Sequence, residues 1–380
     1  MKIAANSSIP YIKGAVEAEA EVNYWSANSL SAEAIKGADV LIIRSIDKCT
    51  PSLLQGSGVK LITTATIGFD HIDTSFCDKT GILWKNAPGC NSTSVAQYVA
   101  NALLSVSMAK GESLKGKTIG IVGVGHVGEK VKQIAQALGM RTLLNDPPRE
   151  EKEATSSAHT NAQDTFVSLD LIAEEADIIT FHTPLTRNEP HATFHLANED
   201  FFKKLKRKPW IVNAARGAIH DTAALLSAKK QGNVGELIID CWEKEPHISE
   251  ELLKMSAIAT PHIAGFSADG KANATRMCLQ TIEKQFNMHF QNIENIQPPP
   301  PPCSQIDLSL FPKDNRIPHA MLHCFDPKKV DDKLRRDPFR FEDLRNNYDH
   351  PREFSAYKLL NATSEELALW NKVISLRAKN

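Results

Sequence analysis

The sequence predicts the α/β class, with a doubly wound parallel sheet at its centre. Three observations carry that reading. Strand-like, β-branched runs alternate with helical ones along most of the 380 residues, the order that a parallel sheet flanked by helices requires. Residues 118–128, TIGIVGVGHVG, pass from such a strand into Gly123, Gly125 and Gly128 at the spacing G-x-G-x-x-G, and a helical pattern follows over 129–138. A further strand over 141–145 then ends in Asp146, about 20 residues beyond the glycines, where a dinucleotide fingerprint places its acid.

In chain order, residues 2–6, 38–46, 59–64 and 81–85 read as strands, with 31–37 and 51–56 as helical or turn segments between them. They form a small α/β unit of their own. Residues 91–94, NSTS, offer several N-caps to a long apolar helix over 95–108, which leads into the second unit. There Gly123 permits the turn, Gly125 lets a diphosphate approach the backbone, and Gly128 lets the helix pack close to its strand. The helix N-terminus supplies N–H groups to the anion. A carboxylate at Asp146 accepts hydrogen bonds from the ribose hydroxyls and repels a 2′-phosphate, so the residues favour NAD over NADP. Residues 178–182, 210–214 and 236–242 read as further buried strands, with Ser168 and Asp221 placed to cap helices. Residues 147–165 are polar and without period, which predicts a surface loop.

Five consecutive prolines, 298–302, read as a stiff extended spacer. Behind them, residues 303–380 mix acids and bases with Phe325, Phe339, Phe341 and Tyr348. Lys333, Arg335, Arg336 and Arg340 interleave with Asp331, Asp332, Asp337, Glu342 and Asp343, which predicts solvated faces or pairs between subunits. So short a segment buries little apolar surface alone and is expected to dock on the body or on a second copy.

Composition narrows the function. Lys and Arg number 44 against 45 Asp and Glu, a balance that argues against a dedicated nucleic-acid binder. MKIAANSSIP lacks the basic flank and apolar core of a signal peptide, and no apolar run approaches the ~20 residues of a membrane span. A cytoplasmic location is the expectation. The seven cysteines are scattered with no C-x-x-C pair, and the thirteen histidines form no H-x-x-x-H or H-E-x-x-H motif, so reduced thiols and no metal are expected.

Three later residues carry chemistry that a dinucleotide sheet does not itself need. Arg216 follows the strand WIVNAA and sits where open α/β sheets place ligands, and its guanidinium can clamp a carboxylate through two hydrogen bonds. Glu245, in DCWEKEP, and His262, in ATPHIAG, also lie beyond apolar runs. Such an acid can orient such an imidazole and favour its protonated form.

These motifs, G-x-G-x-x-G, HTPLT at 182–186, NAARG at 213–217, DCWEKEP and PHIAG, make the chain similar to the D-isomer-specific 2-hydroxyacid dehydrogenases. The resemblance implies a Rossmann-type NAD domain over 93–265 and a flavodoxin-like substrate domain from 1–92 plus about 266–290. It implies hydride transfer between C2 of a 2-hydroxy acid and NAD, with Arg216 holding the carboxylate, His262 taking the hydroxyl proton and Glu245 supporting His262. Cofactor contacts are implied for Gly123, Gly125, His126, Val127, Gly128, Asp146, Thr183, Ala215, Asp240 and Gly265. His182 is expected to pack near the cofactor without moving protons.

A narrower resemblance rests on IIRSID at 42–47, ATIGFDHID at 65–73, NDPPRE at 145–150 and the tail PFRFEDLRNNYDHPREF at 338–354. It points to the branch of that family which oxidises a small phosphorylated 2-hydroxy acid in vitamin B6 synthesis. This implies a linker over 291–302, a C-terminal dimerisation domain over 303–380, and a homodimer that binds neither nucleic acid nor membrane. Substrate contacts are implied for Arg44, Ser45, Thr66, Gly68 and Phe266, with Arg44 the phosphate partner and Phe266 standing where the family commonly has Tyr. Asp70 and His71 read as packing and turn residues. A phosphoglycerate or glycerate dehydrogenase is the alternative within the chemistry. An NAD-sensing protein like the dehydrogenase-related co-repressors is the alternative outside it, disfavoured by the tail and by the absence of a basic stripe.

Overall fold

A computed structural model of the chain describes residues 1–155, 165–188 and 190–376. The chain divides into two compact units, Met1–Asn91 with Ser267–Pro300, and Ser92–Phe266 with Pro301–Asn380.

The first unit is built on a five-stranded parallel sheet in the order β2-β1-β3-β4-β5, with β1 Lys2–Asn6, β2 Glu21–Trp25, β3 Val40–Ile43, β4 Leu61–Thr64 and β5 Leu83–Lys85. The central strands β3 and β4 are buried along their whole length, which is why their apolar runs are visible in the sequence. The edge strand β2, EVNYW, is half-exposed and polar, so no apolar run marks it in the sequence. Residues 31–37 form turns rather than a helix, ending at Gly37 with φ +70°. One face of the sheet packs Ile3, Val40, Ile42 and Leu61 against Cys278, Leu279 and Ile282 of the helix Ala268–Phe286. Ile293 and Ile296 join that core, so residues 291–300 pack as part of the first unit instead of standing free as a spacer. The expected linker is thereby corrected: its isoleucines are apolar enough to be worth burying, and the unit boundary falls inside the proline run.

The second unit holds a six-stranded parallel sheet, order β11-β10-β9-β8-β6-β7, with β6 Thr118–Val122, β7 Arg141–Asn145, β8 Ile178–Phe181, β9 Trp210–Asn213, β10 Leu237–Ile239 and β11 Ile258–Ala259. The strand order reverses at β6, which pairs with β7 on one side and β8 on the other. The glycine loop leaves the carboxyl end of that strand. Ser168 and Asp221 cap helices through the N–H groups of Leu171 and of Ala223 and Ala224. Pro147–Thr155 is a helix, against the expected loop, and 156–164 lie outside the described residues. Asp146 nucleates it by accepting the N–H of Arg149 at 3.1 Å.

The tail docks on this same unit. It contributes the helices Arg316–Cys324, Pro327–Arg336, Phe341–Asn346 and Ser364–Ile374 and a two-stranded parallel pair, β12 Gln305–Asp307 with β13 Lys358–Leu360. Met321, Phe354, Trp370 and Val373 share one core with Val99 and Leu103 of the helix Ser92–Lys110. Asn101 inside that helix donates to the carbonyls of Met321 and Phe325, at 3.0 and 2.6 Å. Part of the mixed charge of the tail is likewise internal, contrary to the expected solvated or intersubunit pairs. Asp331 is fully buried, accepts the N–H of Ala259 at 2.8 Å and pairs with Arg335, which also donates to the carbonyls of Leu253 and Ser256. A buried carboxylate is tolerated only with such partners. Among the described residues no helix is long and apolar enough to cross a membrane, and all seven cysteines are free, Cys303 alone being exposed.

Candidate active site

The glycine loop is shaped by close approaches that only glycine allows. Gly123 has φ +89°, and a Cβ on it would lie 2.7 Å from the backbone of His182 and Thr183. A Cβ on Gly128 would lie 2.0 Å from the Gly123 carbonyl, so the helix His126–Ala137 could not pack as it does. Gly125 differs: a Cβ there meets nothing within 4 Å. Its side faces open space at a helix N-terminus that no side chain caps, with His126 exposed and Val127 half-buried in the first turn. Asp146 Oδ2 accepts the Val124 N–H at 2.7 Å and so holds the loop itself. Thr183 Oγ1 is buried without a hydrogen-bond partner among the described residues, as a group awaiting a ligand would be. These features fit a bound dinucleotide. His182 is half-buried, and desolvation of its ring pushes its pKa down to about 3, so it stays neutral and moves no proton near neutral pH.

A second cluster gathers at the ends of β9, β10 and β11. Gly217 is jammed against the Trp242 carbonyl, 2.0 Å from a would-be Cβ, which brings the NAARG loop onto the DCWEKEP turn. Arg216 is exposed there, with Nη1 donating to the Ala215 carbonyl at 2.7 Å. Glu245 Oε1 accepts the Trp242 N–H at 2.8 Å, and Oε2 lies 2.8 Å from His262 Nδ1. Burial alone would raise the Glu245 carboxyl, but the hydrogen bond and charge of His262, the Trp242 N–H and the Arg345 charge outweigh it and hold the group below the usual carboxylate range. His262 has φ +54°, a conformation costly for a side chain with a Cβ. Asp240 enforces it. Its carbonyl accepts the His262 N–H at 2.9 Å, and its carboxylate accepts from Ile263 N, Ala264 N and Thr260 Oγ1 at 2.8, 3.0 and 2.7 Å. Thr260 in turn meets the Tyr98 hydroxyl at 2.5 Å. Asp240 is fully buried, and its carboxylate also accepts from the Cys241 thiol at 3.9 Å, with Gly265 half-buried at the end of the PHIAG loop.

Two features here had no sequence signal. Cys241 Sγ, a Glu245 oxygen and a His262 nitrogen all lie within 4.8 Å of one another, a set of donors that only folding assembles. The tail also reaches the site: the Arg345 guanidinium lies 5.7 Å from the Phe266 ring, which stacks on His350 at 5.7 Å and tilts toward Tyr348 at 6.5 Å. Burial, followed by the charges of Asp240 and Asp349, pushes the Tyr348 phenol well up. Phe266 therefore belongs to the second unit and to a tail cluster.

In the first unit, Arg44 and Ser45 leave the carboxyl end of β3, Ser45 exposed. Buried Asp47 fixes that turn, accepting from the Arg44 N–H at 2.8 Å, from both-oxygen contacts with Asn6 Nδ2 at 2.9 and 2.8 Å, and from Trp25 Nε1 at 3.1 Å. The Arg44 guanidinium donates to Ser8 Oγ at 2.9 Å. It also lies near enough to Lys271 to act on it: burial first, then Arg44, push Lys271 down to about 8. Two cations brought together in a partly buried place suit an anion, and nothing in the sequence pointed to Lys271. Thr66 Oγ1 donates to the Gly68 carbonyl at 2.7 Å, while Ala87 N and Asn86 Nδ2 take the carbonyls of Thr66 and Ile67. His71 is a packing residue as expected, with Nε2 3.0 Å from Thr64 Oγ1.

A nucleotide-binding loop in the same unit as an imidazole paired with a carboxylate suits a dehydrogenase that moves a hydride and a proton. The family model of the D-isomer specific 2-hydroxyacid dehydrogenase NAD binding domain matches residues 93–264, and that of a domain of unknown function (DUF3410) matches 298–373. An erythronate-4-phosphate dehydrogenase of Porphyromonas gingivalis is 52% identical over 367 residues, 96% of this chain and 97% of the relative. One of Escherichia coli is 37% identical over 361 residues, 94% of this chain and 93% of the relative. Among solved structures, NAD+-bound 3-phosphoglycerate dehydrogenase of Entamoeba histolytica aligns at a TM-score of 0.58 and 27% identity, over 76% of this chain and 95% of that one. The chain belongs to the erythronate-4-phosphate dehydrogenase family, within the D-isomer-specific 2-hydroxyacid dehydrogenases, and is an NAD-dependent oxidoreductase.

Proposed function

We propose that the chain oxidises 4-phospho-D-erythronate at C2 to (3R)-3-hydroxy-2-oxo-4-phosphooxybutanoate, a step toward pyridoxal 5′-phosphate. The observation that carries this reading is the 52% identity to an erythronate-4-phosphate dehydrogenase over 96% of the chain. NAD, when bound, supplies the acceptor for the C2 hydride. His262 takes the hydroxyl proton at Nε2, because Nδ1 is committed to Glu245. Glu245 stabilises the imidazolium so formed, and Asp240 keeps the ring in place through the backbone of its loop. Arg216 clamps the substrate carboxylate and the developing carbonyl oxygen. Arg44 and Ser45 meet the 4-phosphate, with Lys271 adding charge.

The cofactor is held by the glycine loop and the first-turn amides of His126 and Val127, with Thr183, Ala215 and Gly265 lining the site. Asp146 takes the ribose hydroxyls. The protein acts in the cytoplasm as a homodimer. Support for the dimer comes from the tail, where Leu310 is 79% and Phe339 91% exposed, costly apolar surface for a monomer. Leu310→Asp with Phe339→Asp should yield monomers by light scattering.

NADH formation with erythronate 4-phosphate, erythronate, glycerate and 3-phosphoglycerate tests the substrate. The 4-phosphate should give the highest kcat/KM by a wide margin. Equal turnover of erythronate would remove both the phosphate site and the substrate assignment.

A further inference from the structure

Beside Asp146 stands an arginine built into the glycine loop as firmly as the acid. Arg149 Nη1 donates to the Val124 carbonyl at 2.6 Å, while Asp146 holds the N–H of the same residue. The backbone of Arg149 is itself bound to Asp146 Oδ1. Its guanidinium is spent on two carboxylates: Nη1 lies 3.2 Å from Glu129 Oε2, and Nε donates to Glu153 Oε1 at 2.8 Å. The other oxygen of Glu129 pairs with Lys132 at 2.9 Å. Phe166 lies under the guanidinium at 5.4 Å.

An acid at the end of the second strand selects the ribose hydroxyl of NAD, and an arginine nearby is what accommodates the 2′-phosphate of NADP. This site has both within three residues of chain. We propose that Arg149 is a latent 2′-phosphate partner, and that Glu129 and Glu153, by occupying its charge, exclude NADP jointly with Asp146. This rests on the reading of Asp146 given above.

The two carboxylates are not equivalent. Glu129 is almost wholly buried between Lys132 and Arg149, and its removal would take a buried carboxylate from two cations at once. Glu153 is about one-third exposed and bonds Arg149 alone among the partners described for it, so its loss takes one carboxylate from Nε of the guanidinium while the contacts of Nη1 remain.

The test measures dissociation constants for NADP and NAD by calorimetry, with kcat/KM alongside, in Asp146→Ser, Asp146→Ser/Glu153→Gln, and the latter with Arg149→Ala or Arg149→Gln. Freeing one charged donor for a phosphate should tighten NADP relative to NAD about tenfold between the first protein and the second, and removing Arg149 should cancel that gain. Melting temperature identifies any variant that fails to fold, and the second Arg149 substitution then serves. An unchanged ratio on adding Glu153→Gln, or a gain that survives loss of Arg149, overturns the proposal. If Asp146→Ser alone leaves the ratio unmoved, the Asp146 reading fails instead. Glu153→Gln with and without Arg149→Gln, on intact Asp146, then decides the arginine by the same ratio.

Discussion

Glu245→Gln is the sharpest probe of the proton-transfer apparatus, because it changes one charge and almost no volume. The amide oxygen can still accept the Trp242 N–H, now made to Oε1 at 2.8 Å, which leaves the NH2 group facing His262 Nδ1. An NH2 there donates where the carboxylate accepted. His262 must then turn a lone pair to it and carry its proton on Nε2, the atom assigned to receive the hydroxyl proton. The lost contact is 2.8 Å long, the length of a charge-assisted hydrogen bond, between side chains only 24% and 21% exposed, so solvent screens it little. Hydrogen bonds to charged groups contribute about 1.5–3 kcal/mol, which at about 1.4 kcal/mol per decade is roughly a 10- to 150-fold fall in kcat. Steady-state NADH formation at saturating NAD gives kcat, and NAD affinity measured by calorimetry should stay near wild type. A C2-deuterated substrate should show a larger isotope effect as the chemical step slows. A variant within threefold of wild-type kcat would refute the role of the pair.

Arg44→Ala should lower kcat/KM for the phosphorylated substrate by about 30-fold, about 2 kcal/mol and the low end for a truncated charge pair because Arg44 is only half-buried, while hardly changing phosphate-free erythronate. Equal losses on both substrates would move Arg44 away from the phosphate. Lys271 titrates near 8 instead of 10.5, so its burial beside Arg44 penalises folding fully below about pH 8 and not at all above about pH 10.5. Lys271→Met should therefore melt higher than wild type at pH 7 and lose that advantage as the pH rises past 10, while binding the phosphorylated substrate less well. Burial lowers His182 to about 3 and His220 to about 4, so below pH 6.5 the unfolded chain binds protons that the folded one refuses. Each should remove about 1.4 kcal/mol of stability per pH unit as the pH falls from 6.5 toward 5, readable by urea unfolding. A flat profile there would contradict their burial as neutral rings.

What was legible in the sequence was local. The spacing of Gly123, Gly125 and Gly128 and the acid at Asp146 record contacts within one strand, turn, helix and strand, where chain connectivity already brings the atoms together. The central strands announced themselves because burial on both faces leaves only apolar side chains. Edge strand β2 gave no such signal, and the helix Pro147–Thr155 was hidden by its polarity, since its order comes from Asp146 and from the Arg149–Glu153 pair instead of from apolar burial. Tertiary structure decided the rest. It set Glu245 2.8 Å from His262, gave both oxygens of Asp240 to the backbone around that ring, placed Lys271 beside Arg44, and brought Arg345 and Tyr348 of the tail to Phe266. These contacts join residues far apart along the chain, fixed by the summed packing of many apolar side chains rather than by any spacing. A sequence therefore shows which groups are available for chemistry, and only the packed core determines which of them meet.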